Sequence, residues 1–506
     1  MNITKRKAFS IALLITVTNI LGKILGFIRD ILISYHYGAS EITDAIFLAM
    51  SIPLLILGVF TNSTDSAIIP QYNRISKSRG KCAADEYFSS VINIILCIAF
   101  AVSVIIFIYP SILISIFAPG FNFEQKEYGI QFLRIFSFFG FMHILYCFFS
   151  TYNTIYTRVF PRAILSFTTN LLVVIALLIY PDSDMLMLST AYFIGNILSA
   201  IIPILSAYKS GYRHNIIDIR CNKETKNFAI IFLPIMGGAL LSNLNMFVDK
   251  FLASSMETGS ISYINYASRL TNIFDSVLIV GLGVIILPLL SESRVNNDFI
   301  KFKRDASQVI KLLNIILFPI MILCMMLSNQ IIEVIYMRGE FGADAAEVVA
   351  IIFFYYAPQI LLLPMQATLA KIFHALEDTK TPFYINAISV GINIILSIIF
   401  SFILGIKGIA IATSFSVIIA VLMLIYRIKE QIGWDNSIFS FKELFKIAIC
   451  GTVSLISAYI SINFVNSPLE EVLIAFIIGG LTYTIMFATL LKSDFGYLLS
   501  FVYKKR

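Results

Sequence analysis

The feature that most restricts this chain is a series of apolar stretches, each at least about 20 residues long, running from residue 8 to residue 491. A helix of about 20 apolar residues spans a hydrocarbon core about 30 Å thick. In that medium only structures that satisfy their own backbone hydrogen bonds survive. The stretches fall near 8–36, 42–69, 87–117, 128–151, 162–180, 185–208, 227–256, 262–290, 307–327, 344–373, 382–404, 407–426, 443–463 and 469–491. These spans predict an all-α polytopic membrane protein with fourteen transmembrane helices and both termini on one side. Composition agrees: 13% of the residues are charged, against about 25% for a soluble domain. Lys5-Arg6-Lys7 and the apolar run after it resemble a signal peptide. The run lacks a small-x-small cleavage site and continues into Arg29-Asp30, so it reads as a first transmembrane helix that is retained.

The charge distribution supplies an orientation. Of 37 Lys and Arg residues, 27 lie in 1–7, 70–86, 152–162, 209–226, 293–306, 374–382, 427–446 and 492–506. The alternate loops hold only Lys126, Arg338 and Lys407. Basic residues accumulate on the cytoplasmic side, so both termini are expected in the cytoplasm. The net charge of +7 is therefore a membrane-orientation signal and not a nucleic-acid signal. Six cysteines without CxxC spacing argue against a disulfide framework or zinc site. No GxxxxGK[ST] loop is present, and the outer loops are too short for a catalytic domain, so the chain reads as a transporter and not an enzyme.

An internal repeat is visible. IFAPG at 116–120 resembles IYMRG at 335–339, and YNTIYTRVFP at 152–161 resembles FHALEDTKTP at 373–382. Asp30 in RDILIS resembles Asp249 in DKFLAS; the offsets are 219, 221 and 219. Six spans separate equivalent positions, which implies two parallel repeats about an axis along the membrane normal. The expected division is 1–220 for the first lobe, 221–430 for the second, and 431–506 for spans 13 and 14 outside the symmetry. Folds of this kind place their substrate between the lobes and work by alternating access.

Charge inside the spans gathers on the first two of each lobe: Lys23, Arg29, Asp30 and Asp44, then Asp249, Lys250 and Arg269. An Asp, Lys or Arg at a helix centre costs about 2.5–3.5 kcal/mol on insertion scales. Arg29 and Arg269 present planar, permanently charged forks that match phosphate oxygens. With Lys23, six residues before Arg29 and about 9 Å from it along the helix axis, they suit an anion such as a diphosphate. Asp30 and Asp44 are then expected to orient these cations in the empty state. The alternative is structural pairing, of Arg29 with Asp30 or Asp44 and of Arg269 with Asp275 or Asp249. Asp249, with Asn393 and Thr413 in the same lobe, can hold Na⁺ or take a proton; alternatively, a solitary Asn or Thr bonds to a neighbouring helix. Gly22, Gly26 and Gly38 allow close packing or bending of the first helix, and Pro53 a kink in the second. Four scattered His residues (36, 143, 214 and 374) make no metal motif.

GKILGFIRDILISYHYGASEITDAIFLAMSIP at 22–53 resembles the first-helix signature of the MurJ/MviN family. That family comprises bacterial lipid II flippases of the multidrug/oligosaccharidyl-lipid/polysaccharide exporter superfamily. IIPQY at 68–72, FAPGF at 117–121, NMFVDKFLASSMETGSISYINYASRL at 245–270, ILPLLSE at 286–292 and MRGEF through FHALEDTKTP at 337–382 follow in order. The resemblance implies translocation of an undecaprenyl-diphosphate-linked disaccharide-pentapeptide, lipid II, from the inner to the outer leaflet of the bacterial cytoplasmic membrane. Under it, Arg29, Asp30 and Arg269 fall on a central headgroup site and Asp44 on a functional acid. Spans 13 and 14 become an apolar groove for the lipid tail, and Asp249, Asn393 and Thr413 a sodium site.

Three positions depart from the family: Lys23 and Ser51 stand where it has arginines, and Ser397 where it has a carboxylate. The expected partners are thus the lipid-linked glycan and membrane lipid, with no nucleic acid, acting on a monomer. The expected driving force is Na⁺ or the membrane potential, with no other cofactor. A flippase for another polyprenyl-diphosphate glycan, of the O-antigen or capsule type, is the neighbouring alternative.

Overall fold

The computed structural model describes residues 2–62, 64–158, 160–179, 185–215, 223–273, 299–433 and 441–491. Among them every regular element is a helix. The first part of the chain forms α1 (Asn2–Tyr37), α2 (Glu41–Asn62), α3 (Thr64–Arg79), α4 (Lys81–Ile108), α5 (Pro110–Phe117), α6 (Phe123–Phe136), α7 (Phe139–Ile155), α8 (Phe160–Ile179), α9 (Met185–Lys209) and α10 (Lys223–Ser254). Next is α11, over 260–273. The remainder forms α12 (Phe299–Met326), α13 (Ser328–Tyr336), α14 (Ala343–Tyr356), α15 (Gln359–Ala375), α16 (Lys380–Leu404), α17 (Ile406–Ile432), α18 (Phe441–Ile462) and α19 (Pro468–Leu490).

Ten described segments are long and apolar enough to cross a membrane. The helices α1 and α10, which carry most of the intramembrane charge, fall outside that set. The span expected at 262–290 is described only to 273, so Asp275 and the ILPLLSE motif lie outside the described residues.

The repeat reappears as matched interruptions. The break between α4 and α5 recurs between α12 and α13, and the break at 137–138 recurs at 357–358. Pro358 explains the second member of the latter pair, because it has no N–H to continue a helix. The two motifs at 152–161 and 373–382 are matched helix ends. Thr157 and Glu377 adopt left-handed backbone, φ 58° and 64°. Arg158 N–H donates to Asn153 O at 2.9 Å, and Asp378 N–H to Phe373 O at 3.0 Å. Both are the six-to-one closure of a Schellman cap, and a proline follows each at 161 and 382.

By packing, the chain forms two compact units: Met1–Ser262 with Arg338–Phe341, and Tyr263–Met337 with Gly342–Arg506. Packing and sequence repeat are different criteria, and α10, which opens the second repeat, packs in the first unit. The core of the first unit is aromatic, built on Tyr72, Phe88, Phe148, Tyr152 and Tyr212. That of the second unit is mainly aliphatic, around Ile310, Leu369, Ile372, Val421 and Leu424, with Phe302 and Phe373. In α18 and α19, Ser454 donates to Gly479 O at 2.7 Å, and a Cβ on Gly451 would lie 2.6 Å from Phe318. Small residues and hydroxyls are what bring membrane helices together when no hydrophobic gain separates helix from lipid.

Candidate functional site

Two charged sites lie inside the first unit. At the first, α1 carries Arg29 and Asp30, 6% and 1% exposed. Arg29 Nε donates to Asp30 Oδ1 at 2.9 Å and Nη2 to the same oxygen at 2.6 Å. Its Nη1 donates to Asn170 Oδ1 of α8 at 2.8 Å. Asn170 is itself oriented, because its Nδ2 donates to Gly22 O at 2.9 Å. The amide therefore presents oxygen to the guanidinium and nitrogen to the backbone. Gly26 makes the room: a Cβ there would sit 2.9 Å from Asn170 Nδ2. The ring of Tyr192, from α9, lies 5.5 Å from the guanidinium carbon, within cation–π range. Close packing, one of the two uses offered for Gly26, is present.

The structural pairing that the sequence leaves open for Arg29 is thus with Asp30. A guanidinium has five N–H donors, and three are engaged among the described residues. The other two make no hydrogen bond among the described residues.

At the second site, Asp44 lies in the first turn of α2, 2% exposed. Its Oδ2 accepts from Gly259 N–H at 2.7 Å, and its Oδ1 from Ser262 N–H at 2.8 Å and Ser262 Oγ at 2.7 Å. Gln125 Nε2 donates to Oδ2 at 3.3 Å. Gly259 and Ser262 bracket the start of α11, so one carboxylate sits at two helix N-termini at once. A helix N-terminus offers unpaired N–H groups and partial positive charge, and charge-assisted bonds of this kind are the strong ones. Ser262 Oγ also lies 2.8 Å from Thr43 Oγ1, within hydrogen-bond distance. Thr43 and Ser262 are 219 residues apart, the offset of the repeat.

The orienting role expected of Asp44 toward the arginines is not what its contacts show. Among the described residues it instead binds backbone amides, a hydroxyl and a carboxamide, because its place at a helix start puts orphan N–H groups within reach. Further along α2, Lys250 Nζ donates to Phe47 O at 2.8 Å and Asn243 Nδ2 to Leu55 O at 2.9 Å. These bonds join α10 to α2.

The other expected residues are placed as follows. Lys23 is exposed on α1, and Arg269 is exposed on α11 in the second unit. Asp249 is half-buried in the first unit, and Asn393 and Thr413 lie in the second. Asn393 Nδ2 donates to Ser416 Oγ at 3.3 Å, and Ser416 Oγ donates to Thr413 O at 2.8 Å. Thr413 Oγ1 donates back to Ile409 O at 2.9 Å, and Ser397 Oγ to Asn393 Oδ1 at 3.4 Å. Of these four bonds only Asn393–Ser416 joins two helices, α16 and α17; the other three each lie within one helix.

Sequence reasoning missed Asn170, Tyr192, Gln125, Gly259 and Ser262. The last two were findable: extending the 219-residue offset aligns Ser40 with Gly259 and Thr43 with Ser262.

The family model for lipid II flippase MurJ matches residues 33–478. A probable lipid II flippase MurJ of Thermotoga maritima is 26% identical over 461 residues, covering 90% of each chain. The lipid II flippase MurJ of Thermosipho africanus is 28% identical over 477 residues, covering 94% of this chain and 95% of its own. A solved lipid II flippase MurJ in an inward closed conformation superposes with a TM-score of 0.84 at 27% identity, over 95% of this chain and 99% of that one. An inward-facing multidrug MATE transporter of the MOP superfamily shares the fold, with a TM-score of 0.66 at 14% identity over 81% and 94% of the two chains. The chain is a multi-pass membrane protein that belongs to the lipid II flippase MurJ family, a family of transporters and not of enzymes.

Proposed function

We infer that this protein carries lipid II across the bacterial cytoplasmic membrane for peptidoglycan synthesis. The observation that carries the reading beyond family membership is the buried Arg29. It is held on one side by Asp30 and Asn170, with two N–H donors left over for phosphate oxygens. A buried charge pair costs stability unless its geometry is excellent, so an ion pair retained here fits a binding role better than a structural one.

In this reading Arg29, with Lys23 and Arg269, takes the diphosphate in the inward-open state. Asp30 keeps the guanidinium compensated while no lipid is bound. Both termini lie in the cytoplasm, which makes the end formed by Tyr37–Glu41 the outer one. Asp44, bridging the starts of α2 and α11, holds that end shut until the lobes rock and the headgroup leaves outward. The polyprenyl tail stays in lipid along α18 and α19. Transport is driven by the membrane potential or by Na⁺ at Asp249, Asn393 and Thr413, and one chain suffices.

Complementation of a lipid II flippase depletion strain tests this. The native sequence is expected to restore growth, and Arg29→Ala or Arg269→Ala at equal membrane levels is expected not to. Failure of the native chain to rescue, despite insertion, would point to another polyprenyl-diphosphate glycan as substrate.

A further inference from the structure

Two glycines that the binding and closing residues leave unused are related by the repeat and make the same unusual contact. Gly120, in the turn between α5 and α6, lies so close to the end of α10 that a Cβ would be 2.4 Å from both Ser254 O and Ser255 Cα. Gly339, in the turn between α13 and α14, lies against the end of α1, where a Cβ would be 2.3 Å from Tyr35 O. The two glycines are 219 residues apart, and so are the two carbonyls they meet. All four positions fall in the first unit.

The partners are backbone atoms, which cannot swing aside as a side-chain end can. The carbonyls belong to the last turns of α1 and α10, where helix geometry leaves C=O groups without intrahelical donors. On one side the turn supplies a donor: Glu340 N–H donates to Tyr35 O at 2.9 Å. That side interlocks further, since a Cβ on Gly38 would lie 2.5 Å from Glu340 O.

We propose that Gly120 and Gly339 are paired seats on which the ends of α10 and α1 close the outer end of the protein. Each turn comes from the opposite repeat to the helix it receives. Closure therefore needs both backbones to meet without a side chain between them, and opening separates both contacts together. Asp44 supplies hydrogen bonds to the closed end, whereas the glycines supply the clearance that lets it form. The proposal rests on the flippase reading, which names this end the outer one. Its test needs no lipid-linked glycan and so succeeds or fails independently of substrate.

The probe is Thr43→Cys, buried at this end against Ser262, in purified full-length protein in liposomes. It is read by a membrane-impermeant maleimide added outside, with the unmodified chain as background for its six native cysteines. Gly120→Ala and Gly339→Ala are each expected to raise labelling of the introduced thiol by about tenfold or more, as a shifted open–closed equilibrium would. Gly339→Ala should raise it more, because its turn also carries the hydrogen bond.

Gly339 has φ +60°, so alanine there strains the turn whatever the space. Gly405→Ala controls for that, with φ +62° and nothing within 4 Å of a Cβ, and it should leave labelling unchanged. Gly120 has no such φ and tests clearance alone, so it decides the matter if Gly339→Ala fails to give monodisperse protein. Labelling that stays at the parent level in Gly120→Ala overturns the proposal, as does an equal rise in Gly405→Ala.

Discussion

Arg29 and Asp44 are both charged, both buried and both on the first two helices, yet they are compensated in opposite ways. Arg29 is neutralised by its sequence neighbour Asp30 and steadied by Asn170, a residue 141 positions away. Asp44 meets no side-chain cation among the described residues and is held by the N–H groups of another helix start. A side-chain ion pair can exchange one partner for a ligand phosphate while its backbone stays put. A carboxylate bound to backbone amides is released only when the helix that owns them moves. The first arrangement suits a binding group, and the second a contact that makes or breaks with conformation.

That contrast is broken most severely at Asp30. Asp30→Ala leaves a buried guanidinium uncompensated, a loss of about 3–5 kcal/mol. A large fall in the melting temperature of detergent-purified protein is expected, with partial recovery in the Arg29→Ala/Asp30→Ala double variant. Equal melting of Asp30→Ala and the parent would mean that Asp30 is not what compensates Arg29.

Asp44→Asn keeps the shape but puts an NH₂ where a backbone N–H now points, at a cost of about 1–3 kcal/mol. Because the loss falls on one conformation, it should raise outside labelling of a buried cysteine more than it lowers thermal stability. A purely structural role would move stability alone.

The smallest effect is outside the membrane-spanning helices. Asp378 accepts from the N–H groups of Lys380 and Thr381 at 3.0 Å each and from Thr381 Oγ1 at 2.7 Å. These donors at the start of α16, chiefly the Thr381 amide, hold its carboxyl below the usual range. A depressed carboxyl contributes stability above its unfolded pKa of about 3.9 and loses it as pH falls through the lower folded value. Asp378→Asn should therefore melt slightly below the parent at neutral pH, with the gap closing as pH falls below about 4. A gap independent of pH would remove the charge from the explanation.

The helical architecture was legible because hydropathy and loop charge act residue by residue. The repeat was legible as three offsets within two residues of one another, and the structure extends it to helix breaks and to the paired caps at Thr157 and Glu377. Arg29 and Asp30 were legible as intramembrane charge, and their pairing was one of the alternatives their adjacency leaves open. Asn170 was not, since a single polar residue in an apolar span has many possible partners. The part played by Asp44 was not legible either. Two of its four donors are backbone N–H groups, which every residue but proline carries, so no residue type marks them. Gly120 stood in a quoted motif, but its contact with Ser254 depends on where a turn meets a helix end.

The central claim is that this chain carries lipid II outward and that Arg29 takes part. The direct measurement is the exposure of lipid II to an outer-leaflet probe in cells depleted of this protein, then supplied with the native chain or with Arg29→Ala at equal levels. Exposure should collapse on depletion, return with the native chain and stay low with the variant. Exposure that persists after depletion, or that the variant restores fully, would contradict the account.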